Sequence, residues 1–72
     1  MANEKIDHFK RGNEFNGQGR FFEAIQEYDK AIEKKPSAAA WYNKGTVLYN
    51  LGRPEDAIRA FDEAIRLDPK IA

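Results

Sequence analysis

Apolar residues recur at intervals of three and four along most of this chain. Ala24, Ile25, Tyr28, Ala31 and Ile32 step along one face, and Ala57, Ile58, Phe61, Ala64 and Ile65 repeat the pattern. Trp41, Leu48 and Tyr49 recur at helical spacing between those two runs. Such intervals predict amphipathic helices, since half-buried strands would alternate polar and apolar positions. Punctuation falls between the runs. Gly17-Gln18-Gly19 breaks the chain after Phe15, and Gly52 stops the run that contains Trp41. Pro54 suits a first helical position, where its missing N–H has no intrahelical partner to lose. Glu55 and Asp56 then sit where the helix dipole favours negative charge. Asp68-Pro69 closes the last run, because a residue before proline avoids the helical region. Ser37 reads as an N-cap, and Ala38-Ala39-Ala40 is strongly helix-forming. These signals predict four helices near 4–17, 21–34, 38–50 and 54–67. Short turns between them make neighbours antiparallel, so the fold class is all-α.

The chain also matches itself after a shift of 33 positions. Gly12, Gly19 and Arg20 fall on Gly45, Gly52 and Arg53. Ala24, Ile25, Asp29, Ala31, Ile32 and Pro36 fall on Ala57, Ile58, Asp62, Ala64, Ile65 and Pro69. His8, Phe9, Phe15 and Tyr28 meet Trp41, Tyr42, Leu48 and Phe61. Gly12 and Gly45 lie inside predicted helices, where glycine costs roughly 1 kcal/mol against alanine. A cost incurred twice implies a benefit gained twice, and close helix approach supplies one. Small residues on the second helices, Ala24, Ala31, Ala57 and Ala64, are expected to face the two glycines.

Taken in order, Trp41, Gly45, Leu48, Gly52, Ala57, Phe61, Ala64 and Pro69 resemble the tetratricopeptide repeat family, a helix-turn-helix unit with small and large residues at fixed offsets. His8, Gly12, Phe15, Gly19, Ala24, Tyr28, Ala31 and Pro36 form the first copy. The resemblance spans residues 5 to 71. It implies one domain over 1–72, with repeat 1 at 5–37 and repeat 2 at 38–71, stacked as a short solenoid. His8 departs from the family's tryptophan, Pro54 stands where the first copy keeps Phe21, and the connection from Pro36 to Trp41 is one residue short.

Composition adds exclusions. The chain has 72 residues, no cysteine, and 12 basic against 12 acidic side chains. Disulfides and thiolate metal sites are therefore absent, and balanced charge argues against nucleic acid as a partner. Apolar runs such as Ala38 to Tyr42 are too short to span a bilayer, and residues 1–5 lack a signal-peptide core. A cytoplasmic location is the expectation, with no membrane partner. One histidine and no cysteine leave no nucleophile–base set to argue. His8 is expected to pack, partly buried, in an aromatic position. Glu23, Glu27, Lys30 and Lys34 read as solvated partners along one helix. Gly17-Gln18-Gly19-Arg20 lacks the ending of a phosphate loop. No enzyme, metal or cofactor is expected.

The resemblance implies a groove lined by the first helix of each repeat. Its family positions map to Ile6, Phe9, Lys10, Asn13 and Asn16, and to Ala39, Tyr42, Asn43, Thr46, Tyr49 and Asn50. Asparagine amides both donate and accept, so they can pair with a peptide backbone, and tyrosine adds flat contact area with a polar tip. The expected partner is a protein or extended peptide. One variant of the family clamps the carboxylates of chaperone tails. This chain keeps its Gly12-Asn13 and Asn43, has Phe9 where the clamp lysine belongs with Lys10 adjacent, and lacks a third repeat's basic pair. Two asparagines alone imply weak binding of carboxylates. The alternative reading is a self-assembling unit or a piece cut or engineered from a longer array: helix 54–67 would present Ile58, Phe61, Ile65 and Leu67 to a neighbour, making homo-oligomers or swapped helices.

Overall fold

The computed structural model describes residues 6–71. It contains α1 (His8–Gly17), α2 (Phe21–Lys34), α3 (Ala38–Asn50) and α4 (Pro54–Leu67), followed by a 3-10 turn at Pro69–Ile71. Three helices have the expected bounds. The first does not: it begins at His8 rather than near residue 4, and residues 4 and 5 lie outside the described residues. Asp7 sets the start. Its backbone is extended and its Oδ1 accepts a hydrogen bond from the Lys10 N–H at 3.0 Å. An aspartate that satisfies an otherwise unpaired amide in the first turn fixes a helix N-terminus. Ser37 does the same for α3, its Oγ accepting from the Ala40 N–H at 3.1 Å.

Helices α2 and α4 have no side-chain cap, because Arg20 and Arg53 occupy the cap position. Each arginine turns back onto an acid of the first turn: Arg20 Nε donates to Glu23 at 3.0 Å, and Arg53 pairs with Asp56 at 3.1 Å. The two hairpin turns share a second device. Gly19 (φ +76°) and Gly52 (φ +79°) take the left-handed backbone that side chains resist. The next amide then reaches back, from Arg20 to the Phe15 carbonyl at 2.9 Å and from Arg53 to the Leu48 carbonyl at 3.0 Å. These bonds satisfy carbonyls left over at the helix ends.

Packing is sequential: α1 lies on α2, α2 on α3 and α3 on α4, and α1 meets α3 along an edge. The result is an elongated slab of 41 × 26 × 16 Å. One apolar cluster joins Ala24 and Tyr28 of α2 to Val47 of α3, with Phe9, Phe15, Phe21, Ile25 and Leu51 around it. The other joins Leu48 to Ala57 and Ala60, flanked by Trp41 and Phe61. Ile25 touches both, so the two hairpins share one continuous core.

The helical glycines do provide close approach, but the partners are not the expected alanines. A Cβ added at Gly12 would sit 2.5 Å from Cε1 of Tyr28, and one at Gly45 would sit 2.7 Å from Cε1 of Phe61. An aromatic ring lies against each glycine, filling the space that a methyl group would take. The alanines pack elsewhere: Ala24, Ala57 and Ala64 are fully buried.

Candidate functional site

Several expected groove residues are brought together on the face shared by α1 and α3. Their centre is Asn13. Its Oδ1 accepts from the Tyr28 hydroxyl at 2.5 Å and from Asn43 Nδ2 at 2.9 Å. Three helices thus meet at one oxygen. Tyr28 is fully buried, so its hydroxyl rises from the core into the floor of the face. Burial pushes its phenol above the usual range. With both lone pairs of Asn13 Oδ1 engaged, the open polar capacity is the Asn13 amide N–H groups, the Asn43 carbonyl and its second N–H. That combination matches one peptide unit, which offers one acceptor and one donor.

The remaining expected residues divide. Tyr49 is 66% exposed, and Lys10 and Asn50 are exposed beside the asparagine pair's helices. Ile6 and Ala39 are also exposed, and Asn16 is half-buried. Phe9 and Tyr42 serve packing as well: Phe9 is tilted on Tyr28 with centroids 6.0 Å apart, and Tyr42 is tilted on Phe61 at 5.4 Å. The Thr46 hydroxyl donates to its own helix, to the Tyr42 carbonyl at 3.1 Å. On α4, Ile58, Ile65 and Leu67 are exposed as expected, whereas Phe61 is half-buried under Tyr42 and against Gly45.

Glu27 corrects the sequence reading. It is not a solvated partner of the helix surface but is 7% exposed, with Oε1 2.6 Å from Nδ1 of His8. The His8 hydrogen bond holds the Glu27 carboxyl below its usual range, against the opposing effect of burial. Arg11 and Lys30 add to the lowering, Lys30 at 3.9 Å. His8 is partly buried as expected, but through a polar contact. The signal was present in the internal match: a shift of 33 carries His8 to Trp41 and Glu27 to Ala60. One repeat fills this spot with a large ring beside a methyl group, the other with an imidazole beside a carboxylate.

A cleft of about 530 Å³ opens between α2, α3 and α4, with Phe22 and Ile25 on one wall and Trp41 and Leu48 among its lining. Periodicity alone gave no hint of it. Its charged rim is already paired, Lys44 with Asp29 at 2.6 Å, Arg53 with Asp56 at 3.1 Å and Glu63 with Arg66 at 2.8 Å. Lys44 also lies over the Trp41 ring at 5.2 Å. The Asn13 face, by contrast, keeps unpaired amide groups. Among the described residues no cluster of three or more potential metal ligands occurs, and no helix is long and apolar enough to cross a membrane.

Comparison with known proteins gives one consistent result. The family model described as tetratricopeptide repeat matches residues 9–70. The chain is 33% identical over 70 residues to the DnaJ homolog subfamily C member 7 homolog of Schizosaccharomyces pombe, covering 89% of this chain and 15% of that protein. It is 33% identical over 61 residues to the Hsp70-Hsp90 organizing protein of Triticum aestivum, covering 83% of this chain and 10% of that one. An uncharacterized protein of Methanocaldococcus jannaschii is 34% identical over 62 residues, covering 85% of this chain and 72% of its own length.

Proposed function

The chain belongs to the tetratricopeptide repeat family, whose members serve as protein-interaction modules, and from that premise we propose that the α1/α3 face holds an extended peptide segment of a protein partner. The observation that carries this reading is the asparagine pair. Asn13 and Asn43 come from different repeats, meet at 2.9 Å, and leave amide donors and an acceptor without a partner among the described side chains. Tyr49 offers an exposed ring further along the helix that carries Asn43, and Lys10 offers a cation. Likeness to an Hsp70-Hsp90 organizing protein makes acidic chaperone-tail peptides the first probe. Phe9 in place of a clamp lysine favours recognition of the peptide backbone over recognition of terminal carboxylates, because a desolvated carboxylate needs a cation.

The test is titration of the full chain with an acidic tail peptide and with its amidated counterpart, followed by calorimetry. Asn43→Ala should weaken both by roughly three- to tenfold, the range of one lost neutral hydrogen bond. Equal, negligible binding of both peptides to wild type and variant would remove the groove reading.

A further inference from the structure

Each repeat sets an aromatic ring against a helical glycine, but only one of the two rings carries a hydroxyl. Tyr28 lies against Gly12 and Phe61 against Gly45, and the two pairs correspond across the shift of 33. Because Gly12 has no side chain, the Tyr28 ring comes close enough to α1 for its hydroxyl to reach the next residue, Asn13. In the second repeat Thr46 takes the position of Asn13. Phe61 has no hydroxyl to offer it, and the Thr46 hydroxyl turns back to the Tyr42 carbonyl of its own helix at 3.1 Å. The hydroxyl contact between ring and first helix is thus made in one repeat and not in the other.

This contact sets which end of the Asn13 amide is free. An amide turned over keeps its shape, so its hydrogen-bond partners alone fix its orientation. Both partners of Asn13 Oδ1 are donors, the Tyr28 hydroxyl and Asn43 Nδ2. Turned over, Asn13 would set its own NH2 group against Asn43 Nδ2 and leave the phenol proton without its acceptor. Tyr28 is fully buried, so solvent cannot take that proton. A buried donor left unsatisfied costs its whole desolvation penalty. Asn13 itself is exposed, and its Nδ2 has no partner among the described residues. Lys10, exposed one turn earlier on α1, likewise only donates.

We propose that the Tyr28 hydroxyl is a positioning group for the α1/α3 face: by holding Asn13 Oδ1 it leaves Asn13 to meet a partner only as a donor, so the partner group seated there is an acceptor oxygen, a backbone carbonyl or a carboxylate. This rests on the groove reading above and narrows it. Tyr28 touches no partner and acts through Asn13.

Two measurements test it. The first needs no ligand: relaxation of the Asn13 side-chain amide in the isotope-labelled full chain. Tyr28→Phe copies the ring already accepted at position 61 and should turn a restrained amide into a mobile one. The second is calorimetric titration with the acidic tail peptide, its amidated form, and an amidated form whose acids are replaced by their amides. Tyr28→Phe should weaken binding about two- to fourfold, the inverse of the fraction of Asn13 left in the donor orientation. Asn13→Asp keeps acceptors for Tyr28 and Asn43 but has no donor for a partner, so it should weaken even the uncharged peptide about tenfold. Binding of the uncharged peptide assigns a backbone carbonyl to Asn13, and binding that needs an acid assigns a carboxylate. An Asn13 amide as restrained in Tyr28→Phe as in wild type overturns the proposal. So does an Asn13→Asp chain that binds the uncharged peptide as tightly as wild type or more so. A Tyr28→Phe chain with full affinity overturns it and leaves the groove reading standing, whereas peptides that bind no chain remove both.

Discussion

Replacing both members of the His8–Glu27 pair by those of its counterpart, Trp41 and Ala60, should leave stability nearly unchanged, while either replacement alone should cost it heavily. The side chains are 13% and 9% exposed and meet at 2.6 Å. A hydrogen bond to a charged group contributes about 1.5–3 kcal/mol, and little of this is lost to solvent screening at such low exposure. Glu27→Ala alone removes the bond and leaves His8 beside an unfilled space, for an expected loss of about 2 kcal/mol. His8→Trp alone forces an indole against a carboxylate that has no room to leave, adding overpacking of about 1–3 kcal/mol. The double variant re-creates the residues of the second repeat, where Trp41 packs against the cluster that holds Ala60 at 2% exposure, so the two losses should largely cancel. The assay is urea unfolding of all four proteins by far-ultraviolet circular dichroism at neutral pH. With a slope of about 1 kcal/mol per molar for so small a domain, each single variant should move its midpoint down by about 2 M. The reasoning fails if Glu27→Ala falls within about 0.5 kcal/mol of wild type, the scale of an ordinary surface change. It also fails if the two single effects simply add.

Three further outcomes follow from the same contacts. Asn13→Ala should destabilise by about 1–3 kcal/mol because it strands the buried Tyr28 hydroxyl, while Asn43→Ala should cost well under half as much; paired melting curves check the order. Gly45→Ala should destabilise by about 1–2 kcal/mol despite alanine's better helix propensity, since its Cβ would meet the Phe61 ring at 2.7 Å. Adding Phe61→Leu should recover part of that loss in a chemical melt. Acid should weaken the first hairpin: the Glu27 carboxyl is depressed in the folded state by its bond to His8, so its stabilisation is complete above the unfolded value near 4.5 and is lost as pH falls through the lower folded value. Thermal midpoints taken from neutral pH down through that window should fall less steeply in the His8→Trp/Glu27→Ala protein. Exposed Glu63 beside Arg66 shifts in the same direction and leaves a smaller residual slope.

How much of this was legible in sequence depended on what kind of signal each feature leaves. Helices bounded by glycine, proline or serine were placed to the residue, because those residues act on the local backbone. The start of α1 was missed because an aspartate one residue before the helix is common outside caps too. Periodicity identified which face of α2 is buried, but not that the Tyr28 ring rather than Ala24 lies on Gly12. That choice depends on side-chain reach across helices. Glu27 was misread because charge patterning along one helix cannot show what the neighbouring helix places opposite it. Only comparison of His8 and Glu27 with their counterparts carries that information. The groove residues were legible as a set, yet the sharing of Asn13 Oδ1 between Tyr28 and Asn43 depends on three helices at once.

That shared oxygen makes the asparagine pair a seam between helices as well as a candidate contact. Among the described residues the Asn13–Asn43 contact is the side-chain hydrogen bond that ties the first helix to the third. A guest carbonyl that took the bonded Asn43 N–H would exchange one hydrogen bond of about 0.5–1.5 kcal/mol for another, and the apolar cluster around Ile25, Tyr28 and Val47 would still hold the hairpins together.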